Sequence, residues 1–282
     1  GLTRTTQAKL VFLSETRIKA EKVRRLRGRL GLRGFVGIDS NGLSGGLALF
    51  WSDDIFVDVQ EINDRYIDAH IRVSDNDPLW HLTCVYGEPR VENRHLMWEK
   101  LQNLKARSQL PWCVIGDFNE ALWSFEHFSS TLRGERQMLA FRDTLEMCQL
   151  SDLGFSGLPC TYENKQAGRR NVRVRLDRAV ADNSWRDIFS DARVVHKVSP
   201  CFDHCPIVLQ CGKEEFQIPG KRIRQYEIMW ERDSTLAGKI QNAWAKAWQK
   251  VHLGDVRRGL KDLMTELHNW SKARFGSVVR DL

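Results

Sequence analysis

The sequence lacks any apolar run approaching the roughly 18 residues that a membrane-spanning helix requires. Its first residues do not start with methionine and show no signal-peptide pattern, and no repeat of solenoid or propeller length recurs. These absences predict a protein that neither spans a membrane nor is secreted, with an intracellular location, nuclear or cytoplasmic. With 282 residues, 42% hydrophobic and 28% charged, the chain can bury a full core.

The sequence also lacks a regular cysteine pattern. Seven cysteines, an odd number at irregular spacings, argue against a disulfide framework and predict a reducing compartment. Cys201, Cys205 and Cys211 surround His204 without forming a paired Cys-x-x-Cys pattern. We therefore predict buried or free thiols there rather than a zinc site.

Positive charge is unevenly distributed along the chain. Residues 221–282 carry 13 lysines and arginines against 7 acidic residues, which is +6 of the total net charge of +7. A basic extension on a nearly neutral body predicts a polyanionic partner. The solvated surface of a helix explains the same composition, and composition alone leaves both interpretations open.

The segment Val114–Glu120 is central to our interpretation. A buried apolar run breaks at Gly116 into Asp117, Phe118 and Asn119, as when a strand delivers polar side chains to its carboxyl edge. On an extended backbone, residues two apart point the same way. A carboxylate that can deprotonate water beside an amide that can hydrogen-bond an oxyanion suits phosphoester hydrolysis. A strand ending in an ordinary turn remains the alternative.

Hydrophobic periodicity and turn residues predict strands and helices through the first 212 residues. Strands are predicted at residues 9–14, 35–38, 46–51, 55–61, 66–73, 79–86, 112–115, 173–180, 192–198 and 207–211, and helices at 19–30, 90–107, 135–148 and 183–189. This order fits a two-layer sheet sandwich flanked by helices. Residues 213–225 are predicted to link that domain to a basic helical extension at 226–282, with helices at 236–251 and 260–275.

Several polar residues follow or lie within strand-like runs. They are Glu15, Tyr86, Asp117, Asn119, Asp177, Asp203 and His204. Each has a structural explanation when taken singly: Asp203 and His204 fit a turn, and Asp177 could pair with a neighbouring arginine. Together they suggest a shared pocket.

Five phrases in the chain share their order with a known family. They are Leu13-Ser14-Glu15-Thr16, Val85-Tyr86-Gly87, Gly116-Asp117-Phe118-Asn119-Glu120, Arg175-Leu176-Asp177-Arg178 and Asp203-His204-Cys205-Pro206. The chain thereby resembles the endonuclease/exonuclease/phosphatase superfamily, which includes apurinic-site endonucleases and pancreatic DNase. More narrowly, it resembles the endonuclease of plant LINE-type (non-LTR) retrotransposons. The resemblance implies an α+β fold, a four-layer α/β/β/α sandwich of the DNase-like type.

The resemblance also assigns roles to the matching residues. Glu15 would hold a divalent cation, Mg²⁺ or alternatively Mn²⁺, and Asp203 would lie beside that metal or beside the leaving group. Asp117 would orient or deprotonate the attacking water, while Asn119 would stabilise the transition state.

The remaining roles concern the phosphate. His204 would donate to a phosphate oxygen, Asp177 would fix its orientation, and Tyr86 would hydrogen-bond the scissile group. Asn164 and Arg175 would bind substrate or support the site. DNA is the implied partner, no obligate protein partner is implied, and the tail resembles the segment that precedes a reverse transcriptase in such elements.

Two features depart from the family pattern. Family members begin with a strand ending in an asparagine beside the metal, and here Gly1-Leu2 would be the remnant of that junction, the strand itself being absent. The serine that usually precedes Asp-His is replaced by Phe202. From the resemblance as a whole, we expect a metal-dependent DNA-nicking endonuclease. A non-catalytic remnant that at most binds nucleic acid, and a phosphatase of a small phosphoester, are the alternatives.

Overall fold

The computed structural model describes residues 8–42, 45–130, 133–198, 203–212, 235–247, 259, 262–267 and 269–270. Contacts divide the chain into two compact units, Gly1–Glu214 and Glu215–Leu282. The junction at Gly1-Leu2, Phe202 and the linker at 213–225 lie outside the described residues. The expectations about them stay predictions.

The first unit contains strands and helices that match the sequence periodicity closely. The strands are β1 (Leu10–Leu13), β2 (Gly34–Ile38), β3 (Leu47–Trp51), β4 (Phe56–Ile62), β5 (Tyr66–Arg72), β6 (Trp80–Tyr86), β7 (Trp112–Asp117), β8 (His127–Phe128), β9 (Ser151–Asp152), β10 (Ser156–Gly157), β11 (Tyr162–Glu163), β12 (Arg173–Val174), β13 (Asp177–Ala181), β14 (Arg193–His196) and β15 (Ile207–Gln210). The helices are α1 (Ala20–Arg24), α2 (Arg27–Leu30), α3 (Arg94–Arg107), α4 (Glu135–Met147) and α5 (Asn183–Ile188).

A six-stranded sheet in the order β4-β5-β6-β7-β13-β9 forms the centre of the unit. All its pairs are antiparallel except β6 and β7, which run parallel and are joined through α3. Parallel neighbours end at the same edge of a sheet, so the last residues of β6 and β7 meet there. β6 is buried along its whole length, which explains its nearly continuous apolar sequence.

This sheet is one of four stacked layers. Trp98 and Leu101 of α3 pack with Phe141 of α4 on one face. The opposite face packs against β3 through Leu47 and Leu49, in the sheet ordered β1-β3-β2, and against β15 of the sheet ordered β10-β14-β15. Each fully buried side chain of this size stabilises the fold by about 1.5–3 kcal/mol.

The outermost layer is formed by α1 and α2. Val23 of α1 packs with Phe50 of β3, which alternates with the inward-facing residues of that strand. The predicted four-layer α/β/β/α sandwich is therefore confirmed. The helix predicted at 19–30 is split in two, and Gly31, with φ of 73°, ends it.

One predicted strand, at 173–180, is wrong as a continuous element. β12 lies in a small sheet ordered β11-β12-β8, whereas β13 belongs to the six-stranded sheet. The break occurs because the main-chain N–H groups of Leu176 and Asp177 both donate to the Oγ1 of Thr161, each at 2.9 Å. These groups thus bond a side chain instead of a neighbouring strand.

The second unit is helical over its described residues. Its first helix is α6 (Leu236–Ala247), and residues 262–267 and 269–270 are also helical. Leu236 and Leu267 are buried together, with Trp270 packed against them. No helix in the described part of the chain is both long and apolar enough to cross a membrane.

Candidate active site

Three polar side chains meet at the carboxyl edge of β6 and β7. Tyr86 is the register partner of Asp117 in the parallel pair, and Asp117 is the partner of Asp177 in the antiparallel pair with β13. Neighbouring strands lie about 4.8 Å apart, so the three residues form a row across the sheet. Sequence separations of 31 and 60 residues are thereby closed by strand pairing.

Two glycines allow the backbone to pack tightly at this edge. Gly116 has φ of 142°, and a Cβ added there would lie 2.1 Å from the carbonyl oxygen of Val85. A Cβ on Gly87 would lie 2.4 Å from the carbonyl oxygen of Phe118. Since these neighbours are backbone atoms, any larger residue would displace the strand ends that carry Tyr86 and Asp117.

Asn119 does not continue the extended backbone, so the expectation from residue alternation is wrong for it. β7 ends at Asp117, and Asn119 has the left-handed φ of 54°. Its main-chain N–H donates to Asp117 Oδ1 at 2.8 Å, and its Nδ2 donates to the carbonyl oxygen of Gly87 at 2.9 Å. A turn of this kind is a common use of an Asp-x-Asn sequence. It still holds the amide beside the carboxylate.

Asp117 and His204 have opposite charges and unusual pKa values. Burial, together with the negative charge of Asp177, raises the pKa of Asp117 to about 7. Burial alone would lower the pKa of His204, but its hydrogen bond to Asp177 and the charge of Asp117 raise it to about 9. His204 Nδ1 lies 2.8 Å from Asp177 Oδ2, and its Nε2 lies 4.0 Å from Asp117 Oδ2. A proton acceptor and a proton donor thus face each other near neutral pH.

Glu15 lies beside Tyr86. The Tyr86 hydroxyl donates to Glu15 Oε1, and Arg17 donates to Glu15 Oε2 at 2.7 Å. Burial alone would raise the pKa of Glu15, but the two hydrogen bonds lower it, and the charge of His204 lowers it further. Glu15 and Arg17 both have left-handed φ values, 49° and 54°. Strained backbone of this kind is common at functional sites.

Asp203 is exposed and lies near the same pocket. The hydrogen bond to Glu15, and more weakly the charge of Asp203, raise the pKa of Arg17. The Asp203 carbonyl oxygen accepts a hydrogen bond from Glu163 N–H at 2.9 Å. The structure therefore brings together all seven residues that the sequence pattern singled out.

The side chains of Asn164 and Arg175 bond groups other than the pocket residues. Asn164 Oδ1 accepts from the main-chain N–H groups of Gln166 and Val172, so it organises its own loop. The Arg175 guanidinium is buried and bonds Asp152 at 2.8 Å and Glu126 at 3.0 Å. These bonds give the guanidinium a structural role, and its assignment as a substrate-binding group stays a prediction.

A match to a protein family decides the identity of the fold. The model of the Endonuclease/Exonuclease/phosphatase family matches residues 2–199. The chain belongs to this family. A comparison with curated proteins gave no match.

Solved structures with the same fold are similar to this chain at low sequence identity. An AP endonuclease from Archaeoglobus fulgidus is 16% identical, with a TM-score of 0.57, covering 74% of this chain and 91% of that one. AP endonuclease LMAP from Leishmania major is 15% identical, with a TM-score of 0.56 and coverages of 73% and 79%. The endonuclease domain of TRAS1, a telomere-specific non-LTR retrotransposon, is 16% identical, with a TM-score of 0.55 and coverages of 76% and 90%.

Sequence reasoning missed Thr161 and Tyr162, which support the site. The fully buried Thr161 hydroxyl accepts hydrogen bonds from Leu176 and Asp177, and its carbonyl oxygen accepts from Cys205 N–H at 2.6 Å. The Tyr162 ring lies 5.1 Å from the His204 ring. The only sequence signal was the Cys-Thr-Tyr run ahead of Asn164, and nothing in it indicates a long-range contact.

The role of Glu120 was also missed, although the residue was quoted in the motif. Glu120 is fully buried and forms ion pairs with Arg94 and Arg133, the latter at 2.5 Å. Arg133 Nη2 donates to the Asn119 carbonyl oxygen at 2.8 Å. These contacts hold the Asn119 turn in place from behind.

The residues fit a hard divalent cation. One ligand atom from each of Asp117, Asp177 and His204 lies within 4.8 Å of the others. With Glu15 and Asp203, the pocket contains four carboxyl groups against the cations Arg17 and His204. Carboxylate oxygens are the ligands that Mg²⁺ and Mn²⁺ accept. Burial and the charge of Asp177 raise the pKa of Asp117, and a bound cation would relieve the part that comes from like-charge repulsion.

Proposed function

We propose that this chain is a divalent-metal-dependent endonuclease that hydrolyses phosphodiester bonds in DNA. The observation that carries the proposal is the geometry of three side chains: His204 Nε2 lies 4.0 Å from Asp117 Oδ2, and His204 Nδ1 lies 2.8 Å from Asp177 Oδ2. At neutral pH Asp117 can accept a proton while His204 still holds one. Family membership supports phosphodiester hydrolysis as the reaction class.

The reaction follows from these groups. Asp117 takes a proton from water as the water oxygen forms its bond to phosphorus. The bond from phosphorus to the leaving oxygen breaks, and that oxygen takes a proton from solvent. Asn119 uses one amide N–H on Gly87, which leaves the other to donate to a phosphoryl oxygen. His204 donates from Nε2 to a second phosphoryl oxygen, because Asp177 holds its Nδ1.

Glu15 and Asp203, with Asp117 and Asp177 nearby, would hold the cation. When bound, the cation would neutralise negative charge on the phosphoryl oxygens. Tyr86 has a pKa raised by burial and by its bond to Glu15, so it stays protonated and keeps Glu15 oriented. Mg²⁺ is the ion we propose, and Mn²⁺ has the same ligand preference.

We also propose a retroelement origin of the non-LTR type. The Leu13-Ser14-Glu15-Thr16 and Gly116–Glu120 phrases support it, as does the likeness to the TRAS1 endonuclease domain. In this interpretation residues 226–282 correspond to the segment that precedes a reverse transcriptase. The +6 charge of residues 221–282 would then retain DNA electrostatically.

Nicking of supercoiled plasmid tests the proposal. The purified chain should nick in Mg²⁺ or Mn²⁺ and not in EDTA, and His204→Ala should slow nicking by about a hundredfold or more. Equal nicking by both proteins, or nicking in EDTA, would contradict it. Retention of DNA without nicking in either cation would support the non-catalytic alternative, whereas phosphate release from a small phosphoester alone would support the phosphatase.

Removal of residues 221–282 tests the proposed DNA retention by the tail. The shortened chain should bind plasmid more weakly, with a smaller dependence on salt concentration, because fewer lysines and arginines displace counterions. Unchanged affinity and unchanged salt dependence would contradict this role.

A further inference from the structure

Exposed aromatic rings are concentrated just after the Asn119 turn. Among the described residues, five phenylalanine and tryptophan side chains are at least 40% exposed. They are Phe56, Trp123, Phe125, Phe128 and Phe155. Three of the five occupy residues 123–128, and Phe125 is 72% exposed. Scattered exposed apolar side chains are normal, but a cluster of rings held in water marks an interaction surface.

Arginines accompany these rings. The Trp123 and Phe125 rings are nearly parallel, at 9°, with centroids 6.4 Å apart. The Arg142 guanidinium lies 4.5 Å from the Trp123 ring, and that of Arg173 lies 5.8 Å from the Phe128 ring. Phe128 and Arg173 are also register partners in the pairing of β8 with β12, so they share one face of the small sheet.

In the two chain segments that carry this region, every exposed charged residue is a cation. Segments 123–130 and 164–173 contain the exposed cations Lys165, Arg169, Arg170 and Arg173. Their single acid, Glu126, is buried and bonds Arg175 and Arg178. Ser130 Oγ donates to the Arg169 carbonyl oxygen at 2.8 Å, which joins the two segments. The surface therefore offers ring faces to a planar apolar group and guanidinium groups to an anion.

This surface is connected to the candidate active site through the small sheet. Tyr162 of β11 forms an isolated β-bridge with His204, and β12 and β8 follow in order. Three inter-strand steps of about 4.8 Å place β8 about 14 Å from the His204 segment. At about 3.4 Å per nucleotide along one strand, that is about four nucleotides.

We propose that Trp123, Phe125, Phe128, Arg169 and Arg173, the aromatic–arginine surface, bind unpaired bases of the strand that flanks the scissile phosphate. Rings can stack only on bases whose faces are open, and a duplex hides those faces while exposing its phosphates. Arginines beside the rings would contact the backbone. The inference rests on the proposed function only in taking DNA as the substrate.

Binding in EDTA, where cleavage does not contribute, tests the surface separately from catalysis. Fluorescence anisotropy is measured with a short labelled oligothymidine and with a blunt duplex of the same length. Phe125→Ala and Phe128→Ala should each weaken oligothymidine binding by about 5- to 100-fold and leave duplex binding unchanged. Phe128→Tyr, which keeps a ring, should restore it.

Phe56 provides a matched control. It is 48% exposed, carries the Arg72 guanidinium 5.2 Å from its ring, and lies on β4 at one end of the six-stranded sheet. Phe56→Ala should leave both affinities unchanged. Equal weakening by Phe56→Ala, equal loss on duplex and oligothymidine, or no loss in the Phe125 and Phe128 variants would each overturn the proposal. Failure of plasmid nicking alone would instead bear on the proposed function.

Discussion

Two clusters of charged side chains draw residues from the segment 175–178 and differ in their balance of positive and negative charge. In the first, the buried Arg175 and Arg178 bond Glu126 and Asp152, so two cations face two anions. Burial would raise the pKa values of both acids, but the arginines lower them. In the second, burial and a neighbouring carboxylate raise the pKa of Asp117.

The difference lies in the balance of charge around each carboxylate. In the arginine cluster both acids stay ionised, because the arginines lower their pKa values. In the pocket of Asp117 the carboxyl groups outnumber the cations, so their negative charge favours a bound proton and would favour a bound metal ion. Buried charges that balance one another, as in the arginine cluster, support the fold. Buried charges of mainly one sign, as around Asp117, allow a group to gain or lose a proton. Asp177 and Arg178 are adjacent in sequence yet belong to different clusters.

Asp117→Asn should give the largest effect. The amide keeps the shape but cannot accept a proton from water, so nicking should fall by about 10²- to 10⁴-fold. Thermal unfolding should show a fold that is at least as stable, because a buried carboxyl group with a raised pKa is removed. If the variant lost its fold together with its activity, Asp117 would have a structural role like that of the acids in the arginine cluster.

Glu126→Gln should have the opposite outcome. Two buried arginines lose their shared partner, so the free energy of unfolding should fall by about 3–5 kcal/mol in a urea titration. Activity per folded molecule should persist. Glu99→Gln, on the exposed side of α3, provides the control and should leave both unchanged. A Glu126 variant that is stable yet inactive would break the distinction between the clusters.

Asp177→Asn should shift the titration of His204. Without the carboxylate that holds Nδ1, the pKa of the imidazole should fall from about 9 toward its ordinary 6.5. Proton NMR of the imidazole in EDTA measures this directly. Asp203→Asn should give a smaller shift in the same direction, since Asp203 acts on His204 through charge alone. Equal shifts would contradict the special role of Asp177.

The stability of the first unit should depend on pH through His204. The folded protein binds this proton more tightly than the unfolded chain, whose imidazole has its ordinary pKa of 6.5. The resulting stabilisation is complete below pH 6.5 and is lost as the pH rises through about 9. The difference in unfolding free energy between wild type and His204→Gln, measured in EDTA, should shrink over that range. A constant difference would argue against a raised pKa.

Arg17→Ala should give the smallest effect on the fold. The Arg17 side chain is 59% exposed, so its ion pair with Glu15 contributes at most about 1 kcal/mol. Unfolding should be nearly unchanged. Lys9→Ala, which removes another exposed ion pair, is the matched control.

The strand ends that carry Tyr86 and Asp117 could be foreseen from sequence because each follows an apolar run, whereas His204 was placed in a turn before the last strand. Short runs of apolar residues predict buried strands, and the sequence motifs of the site lie directly beside those runs. The family resemblance, and not the periodicity, suggested that these residues lie in one pocket. Local sequence patterns do not determine the order of the strands in a sheet.

Other features could not be foreseen because they depend on partners far away in sequence. Arg175 looked available for substrate, yet its partners are Glu126 and Asp152. Asn119 looked extended, but its φ of 54° is set by hydrogen bonds to Asp117 and Gly87. No local pattern distinguishes a committed guanidinium from a free one.

The buried Thr161 gives the site a mechanical property. Its hydroxyl fixes the amide of Asp177, while its carbonyl oxygen fixes the amide of Cys205, next to His204. The carboxylate and the imidazole are therefore anchored to one residue and should loosen as a single body. Deuterium should enter the amides of Asp177 and Cys205 at matching rates. Any opening of this loop would move the Asp177 carboxylate and the His204 imidazole out of place together.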